Sequence, residues 1–322
     1  MNENIKTTEL APMQDNNKIY RILSLDGGGS KGFYTLGVLR EIEGLINRPL
    51  CEHFDLVFGT STGAIIAALI GLGYSVTDIY DLYKRYVPSI MKARSPKQKS
   101  AALSELANQI FQDKKFDQFK TDIGIVAVKW NIETPMIFKN NIYLSYGRLG
   151  TFSPGFGCTI SDAVQASCSA FPFFLRKTVT TSEGDVIELA DGGYCANNPT
   201  LYAIAAATMA LKIERKNLRV VNVGVGQYPE PTPSLFMRLI KKALLGVQLL
   251  QKTMEINTQS MEKLREILYN DIPTIRISDS FETSDMATSF LEYDLDKLNL
   301  LHQSGRESYA KCERSLQEIL LQ

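Results

Sequence analysis

The stretch from Asp55 to Leu72 reads DLVFGTSTGAIIAALIGL. An apolar run, Leu56 to Phe58, enters Gly59-Thr60-Ser61-Thr62-Gly63, and an Ala/Ile/Leu-rich segment leaves it. This reads as a strand, a sharp turn and a helix, with Ser61 at the corner. Small neighbours let strand and helix approach closely and lift the serine clear of the sheet. The helix presents free N–H groups and the positive end of its dipole to that corner. An ionised nucleophile and the oxyanion it creates are both favoured there. The pattern G-x-S-x-G is short; the strand before it and the helix after it give it weight. Alone, it also fits a glycine-flanked turn with an idle serine.

Outward from this corner the chain alternates strands and helices. Tyr20–Leu25 (YRILSL) reads as a buried strand ending at Asp26-Gly27-Gly28-Gly29-Ser30-Lys31-Gly32, and a helix follows over residues 33–46. Pro49 closes that unit and residues 53–59 form the next strand, so the opening is β-α-β and predicts a parallel sheet with helices on its faces. Residues 78–86 read as helix, and 123–131 and 135–139 as strands. A helix over 159–169 follows, with Asp162 near its start. Residues 186–190 lead as a strand into Asp191-Gly192-Gly193, and Asn198-Pro199 introduces a helix over 200–213. Residues 218–224 form another buried strand, and 272–277 a candidate edge strand. Residues 234–251 are apolar around most of a helical circumference, which fits buried core, a subunit contact in a homo-oligomer, or a basic membrane-surface helix. The division expected is a disordered segment over 1–17, a catalytic domain over 18–228, and a mostly helical part over 229–322 packed on the same domain.

Composition bounds the function. Lys plus Arg equals Asp plus Glu, 35 each, in 322 residues, which does not favour a nucleic-acid polymer as partner. Five scattered cysteines without a CxxC pair fit reduced thiols in the cytoplasm. With only His53 and His302 present, a histidine-rich metal site is excluded, and no metal is expected. The N-terminus lacks the basic-then-apolar pattern of a signal peptide. No apolar run reaches the ~20 residues that span a bilayer, so action on lipid means peripheral action from the cytoplasm on the inner membrane.

A serine hydrolase needs a nucleophile, a base and oxyanion donors. Ser61 is the nucleophile. Backbone amides of Gly27, Gly28 and Gly29 are suited as donors, since that loop ends a strand at the same sheet edge. As a spacing, Gly27-x-Gly29-x-x-Gly32 matches a dinucleotide fingerprint, but the acidic residue wanted at the end of the next strand is missing. Lys31 is followed by Gly32, so a Walker A loop fails too. For the base, His53 precedes the Ser61 strand and lies at the opposite sheet end. His302 follows the Ser…Asp…His order of α/β-hydrolases but nothing marks it, and it reads as a surface histidine. Asp191 ends an apolar stretch with two glycines behind it. A free Asp is a weak base at neutral pH, and partial burial raises it toward usefulness. Its bland alternative is an ordinary turn residue.

Four ordered motifs, DGGGSKG, GTSTG, ASCSAFPFF over residues 166–174, and a late DGG followed by Asn-Pro, together resemble the patatin-like phospholipase family over about residues 22–226. Lys31 stands where that family usually has Arg. The resemblance implies a three-layer α/β/α fold with a mainly parallel central sheet and a helical C-terminal extension. It also implies a Ser61–Asp191 dyad, an oxyanion hole from Gly27, Gly28 and Gly29, and hydrolysis of membrane glycerophospholipid esters without a catalytic cofactor. Chain length, the basic segment before residue 100 and the helical C-terminus are similar to one subgroup, the bacterial patatin-like effectors of CBASS anti-phage defence. That likeness implies a cyclic dinucleotide, such as 3',3'-cGAMP, as activator. Lys84, Arg85, Lys92, Arg94, Lys97 and Lys99 form the cationic cluster expected to meet an effector or lipid headgroups, or to be a solvated loop. An unregulated esterase or lipase, and a nucleotide-binding module with a silent hydrolase site, are the alternatives.

Overall fold

The computed structural model describes residues 18–146, 149–229 and 241–322. The segment expected to be disordered, 1–17, and the first part of the helix expected over 234–251 lie outside these residues.

Strand β1 (Tyr20–Leu25) sends Leu23 and Leu25 into one core and Tyr20 and Ile22 into another. Strand β2 (Leu56–Thr60) does the same with Val57 against Leu56 and Phe58, and β3 (Asp122–Lys129) with Ile123 and Ile125 against Val126. Period-two alternation with both faces apolar makes a sheet buried on both sides. Strands β4 (Thr134–Lys139), β5 (Lys177–Thr180), β6 (Val186–Asp191), β7 (Leu218–Val223) and β8 (Thr274–Ile277) complete it in the order β5-β6-β3-β2-β1-β7-β8, with β4 also on β3. Neighbours from β3 through β2, β1 and β7 to β8 are parallel, whereas β4, β5 and β6 pair antiparallel.

One face is covered by α1 (Gly32–Ile46), the short α2 (Leu50–His53), α3 (Thr62–Gly71), α4 (Val76–Lys92), α5 (Pro96–Phe111) and α6 (Ile160–Ser167). After the short α7 (Gly193–Ala196), α8 (Thr200–Ala205) and the π-helical turn Ala206–Ala210 cover the other. The chain ends in α9 (Lys241–Leu268) and α10 (Leu295–Leu320), and α10 lies along α1 on the first face. The result is the three-layer arrangement, and β8 makes the C-terminal part a contributor to the central sheet.

Several boundaries differ from the sequence reading. The strand expected over 53–59 starts at Leu56, because Pro49 opens a turn of helix that takes in His53. Helix α4 runs through Pro88 to Lys92, where burial of Val87 and Ile90 offsets the hydrogen bond that proline removes. Ser95 and Gln98 then form a capping box with Pro96 in the first turn, so residues 84–99 span two helices and not a loop. Strand β5 is additional to the strands expected from the sequence.

Candidate active site

Parallel pairing of β1 and β2 brings the glycine loop and Ser61 to one edge of the sheet, at the strands' C-terminal ends. Ser61 sits between the end of β2 and the start of α3 with φ 54° and ψ −122°. A residue with a side chain adopts such a conformation at a cost of ~1–3 kcal/mol, and only where its surroundings impose it. Here they do. A Cβ on Gly59 would stand 2.3 Å from the Gly63 carbonyl oxygen, and one on Gly63 2.3 Å from that of Leu25. The Ser61 N–H donates to Ser167 Oγ at 2.9 Å, and the Ser167 hydroxyl donates to the Val126 carbonyl at 2.6 Å. Fully buried Ser167, from the end of α6, therefore ties the nucleophile's backbone to β3.

Asp191 ends β6 opposite Ala127 of β3 and has no exposed surface. Its Oδ2 accepts from the Ser61 hydroxyl at 2.7 Å, and its Oδ1 from the Gly193 N–H at 2.7 Å. Burial pushes its pKa up to about 7, and the two donated hydrogen bonds hold it from going higher. A carboxylate poised there can take a hydroxyl proton and return it near neutral pH.

The glycine loop is more divided than its sequence indicates. The Gly27 N–H donates to the Asn197 carbonyl at 2.9 Å, so it is not free to meet an oxyanion. The Asn197 side-chain amide donates to the Gly27 carbonyl at 3.2 Å and to Thr258 Oγ1 at 2.7 Å, fixing that peptide from both sides. The amides of Gly28 and Gly29 have no hydrogen-bond partner among the described residues. Gly29 takes φ 60°, and a Cβ there would stand 2.3 Å from the Phe290 carbonyl oxygen, which accepts the Ser30 N–H at 3.0 Å. The expected trio of donors narrows to Gly28 and Gly29.

From Ser61 an apolar channel runs between α3, α4 and α5. Ile65, Leu69, Val87, Leu103 and Leu106 are among its walls. Tyr83 donates to the Thr62 carbonyl at 2.9 Å and so fastens α4 over α3 at the channel's head. Such a lining excludes water and accepts a hydrocarbon chain.

The cationic cluster is not one group. Lys84, Arg85, Lys92, Arg94 and Lys97 are exposed on the outer faces of α4 and α5 and the turn between them. Lys99 is the correction: it is 7% exposed and turns inward, where its ammonium donates to the carbonyls of Ile90 and Met91. It caps the C-terminus of α4 and does not share the exposed face of the other five. His302 is also not the surface residue expected. It is buried in α10 with its ring 4.3 Å from that of Tyr80, and burial pushes its pKa down to about 4. Neither it nor His53 lines the Ser61 channel. Ser167, Asn197 and Phe290, which shape the site, were not singled out by sequence. Ser167 lies in the small-residue run ASCS, its one available signal. Among the described residues no group of three His, Cys, Asp or Glu side chains gathers as metal ligands, and no helix is long and apolar enough to cross a membrane.

Comparison with known proteins places the chain in a family. A family model described as patatin-like phospholipase matches residues 23–204. A protein of Escherichia coli named cUMP-AMP-activated phospholipase is 60% identical over 321 residues, covering 100% of both chains. A Pseudomonas aeruginosa protein named cGAMP-activated phospholipase is 27% identical over 217 residues, 64% of this chain and 62% of that one. Patatin-T5 of Solanum tuberosum is 26% identical over 219 residues, 61% of this chain and 55% of its own.

Proposed function

The chain belongs to the patatin-like phospholipase family, and on that premise we propose that it cleaves membrane glycerophospholipid esters through a Ser61–Asp191 dyad under the control of a cyclic dinucleotide. The observation that carries the reading is the 2.7 Å contact from Ser61 Oγ to a fully buried Asp191 at the head of an apolar channel. The lipid's acyl chain enters the channel and its ester carbonyl meets Ser61. As Ser61 Oγ attacks, its proton passes to Asp191 Oδ2. The Gly28 and Gly29 amides hold the tetrahedral oxyanion, a type of contact worth ~3–4 kcal/mol of barrier per donor. Collapse expels the lysolipid alkoxide, which takes the proton back from Asp191. Water then attacks the acyl-enzyme, with Asp191 again as base, and fatty acid leaves.

The exposed basic residues of α4 and α5 support contact with anionic headgroups from the cytoplasmic side. For the activator, the full-length relative's name makes cUMP-AMP the first candidate, ahead of the 3',3'-cGAMP expected from sequence, and defence against phage is the role that follows. The test is fatty-acid release from phosphatidylethanolamine/phosphatidylglycerol vesicles by wild type and Ser61→Ala, with cUMP-AMP, with 3',3'-cGAMP and with neither. Release that needs Ser61 and one nucleotide supports the reading. Equal release without nucleotide leaves an unregulated lipase, and no release under any condition overturns the hydrolase.

A further inference from the structure

On the other side of the glycine loop from the channel lies a second cleft, bounded by Gly27, Gly28 and Asn197, by α9, and by the segments that follow β7 and β8. Its lining includes Lys31, which is only 3% exposed. The Lys31 ammonium stands 5.3 Å from the centroid of the Tyr228 ring and makes no hydrogen bond or ion pair among the described residues. Burial lowers its pKa, and Glu255 across the cleft is the one charge that works against this. An ammonium taken out of water without a partner is costly, so an unpaired one facing a cavity points to an anion that fills it. The cleft's other cation is not available, since Arg276 is bound to buried Asp26 at 2.9 Å. From α9, Gln251, Glu255 and Gln259 face the cleft at four-residue spacing, and neither glutamine amide has a hydrogen-bond partner among the described residues.

We propose that this cleft binds a phosphodiester with Lys31 as its cation, and that through it a cyclic dinucleotide acts on the oxyanion loop. The assignment rests on the nucleotide-controlled reading above. The free ammonium can pair with one of the two phosphodiesters of a cyclic dinucleotide, and Glu255 disfavours a dianionic phosphate group there. Amide side chains that both donate and accept suit base edges and ribose hydroxyls. The coupling is direct, because Gly28, Met254 and Phe290 line both cavities. A ligand held on Lys31 bears on the peptides that carry the oxyanion donors. The phosphodiester of a lipid headgroup shares this chemistry and is the second source to be tested.

The experiment is calorimetric titration in the Ser61→Ala background, which cannot consume lipid, alone and combined with Lys31→Met or Glu255→Gln. One arm uses cUMP-AMP and the other dihexanoyl-phosphatidylcholine below its micelle concentration. In the arm the cleft serves, Lys31→Met weakens binding about tenfold or more and Glu255→Gln tightens it about threefold. The opposite signs separate an anion site from a merely structural lysine, and thermal unfolding checks each variant. Should Lys31→Met not fold, Glu255→Gln decides alone. Unaltered cUMP-AMP affinity in the folded variants overturns this site while leaving nucleotide control intact. Lys31-dependent binding of the lipid with no nucleotide binding keeps the site and removes nucleotide control. Binding of neither ligand by the Ser61→Ala parent overturns the proposal.

Discussion

Asp191→Asn should abolish hydrolysis and at the same time stabilise the fold, by an amount that depends on pH in a calculable way. The carboxyl has a folded pKa of about 7, against ~3.9 in an unfolded chain. Because the folded value is raised, the charged form disfavours the native state. The cost is absent below about pH 4, grows as pH rises through the interval, and is complete above pH 7. At ~1.36 kcal/mol per unit it amounts to about 1.5 kcal/mol at pH 5 and about 4 kcal/mol at pH 8. The asparagine variant does not titrate. Its amide oxygen can keep the Gly193 N–H, and its amide nitrogen can donate to Ser61 Oγ, so both contacts survive in changed polarity. Urea unfolding of wild type and Asp191→Asn at pH 5, 6, 7 and 8 measures the gap directly. It should widen by about 2.5 kcal/mol from pH 5 to pH 8, most of it before pH 7. A gap constant within about 0.5 kcal/mol across that range would refute the assignment of a neutral-range carboxyl to Asp191.

The same ionisation governs rate: kcat/KM on a soluble neutral ester should rise with pH to a plateau just above 7, and a flat profile from pH 5 to 8 would exclude Asp191 as the base. Ser167→Ala removes the acceptor of the Ser61 N–H and should lower kcat about tenfold with KM little changed, because the nucleophile's corner is less well held; stopped-flow acylation by a chromogenic ester reads this. Lys99→Met should lower stability by about 1–3 kcal/mol in chemical unfolding yet sediment with anionic vesicles as wild type does. Lys84→Glu with Lys97→Glu should do the reverse, weakening vesicle sedimentation in a salt-dependent manner at unchanged stability.

What could be read from sequence was what is local. The Ser61 corner is written in consecutive residues, since Gly59 and Gly63 are required by contacts within their own turn and with the adjacent strand. Strands β1, β2, β3 and β7 were visible because burial on both faces leaves them mostly apolar along their length. Residues whose roles depend on distant partners were not visible. Gly27 looks identical to its two neighbours until Asn197, 170 positions later, occupies its N–H and carbonyl. Lys99 resembles the other five cations of its run until α5 is folded back on α4 and the last carbonyls of that helix face it. The helix expected to end at Tyr86 continues through Pro88, and only the burial of Val87 and Ile90 shows that it does. His302 carries no mark in sequence of the α1 face and Tyr80 ring that enclose it.

Two buried aspartates near the sheet's edge show why Asp191 can act as a base and Asp26 cannot. Asp26 is 1% exposed, and burial raises its pKa too. However, Arg276 pairs with it at 2.9 Å and Asn222 donates to it at 2.8 Å, and both favour the charged form. A proton placed there would weaken the ion pair that ties the end of β1 to β8. Asp191 receives two hydrogen bonds and no cation. Had an Arg stood beside it, the carboxylate would be comfortable and useless as a base, because its affinity for the Ser61 proton would fall with its pKa. Withholding the cation leaves the native state less stable above neutrality and the carboxyl near pH 7. The stability lost at Asp191 and the basicity gained there are one free energy seen in two experiments, so the unfolding gap and the pH–rate profile must give the same pKa if the dyad acts as described.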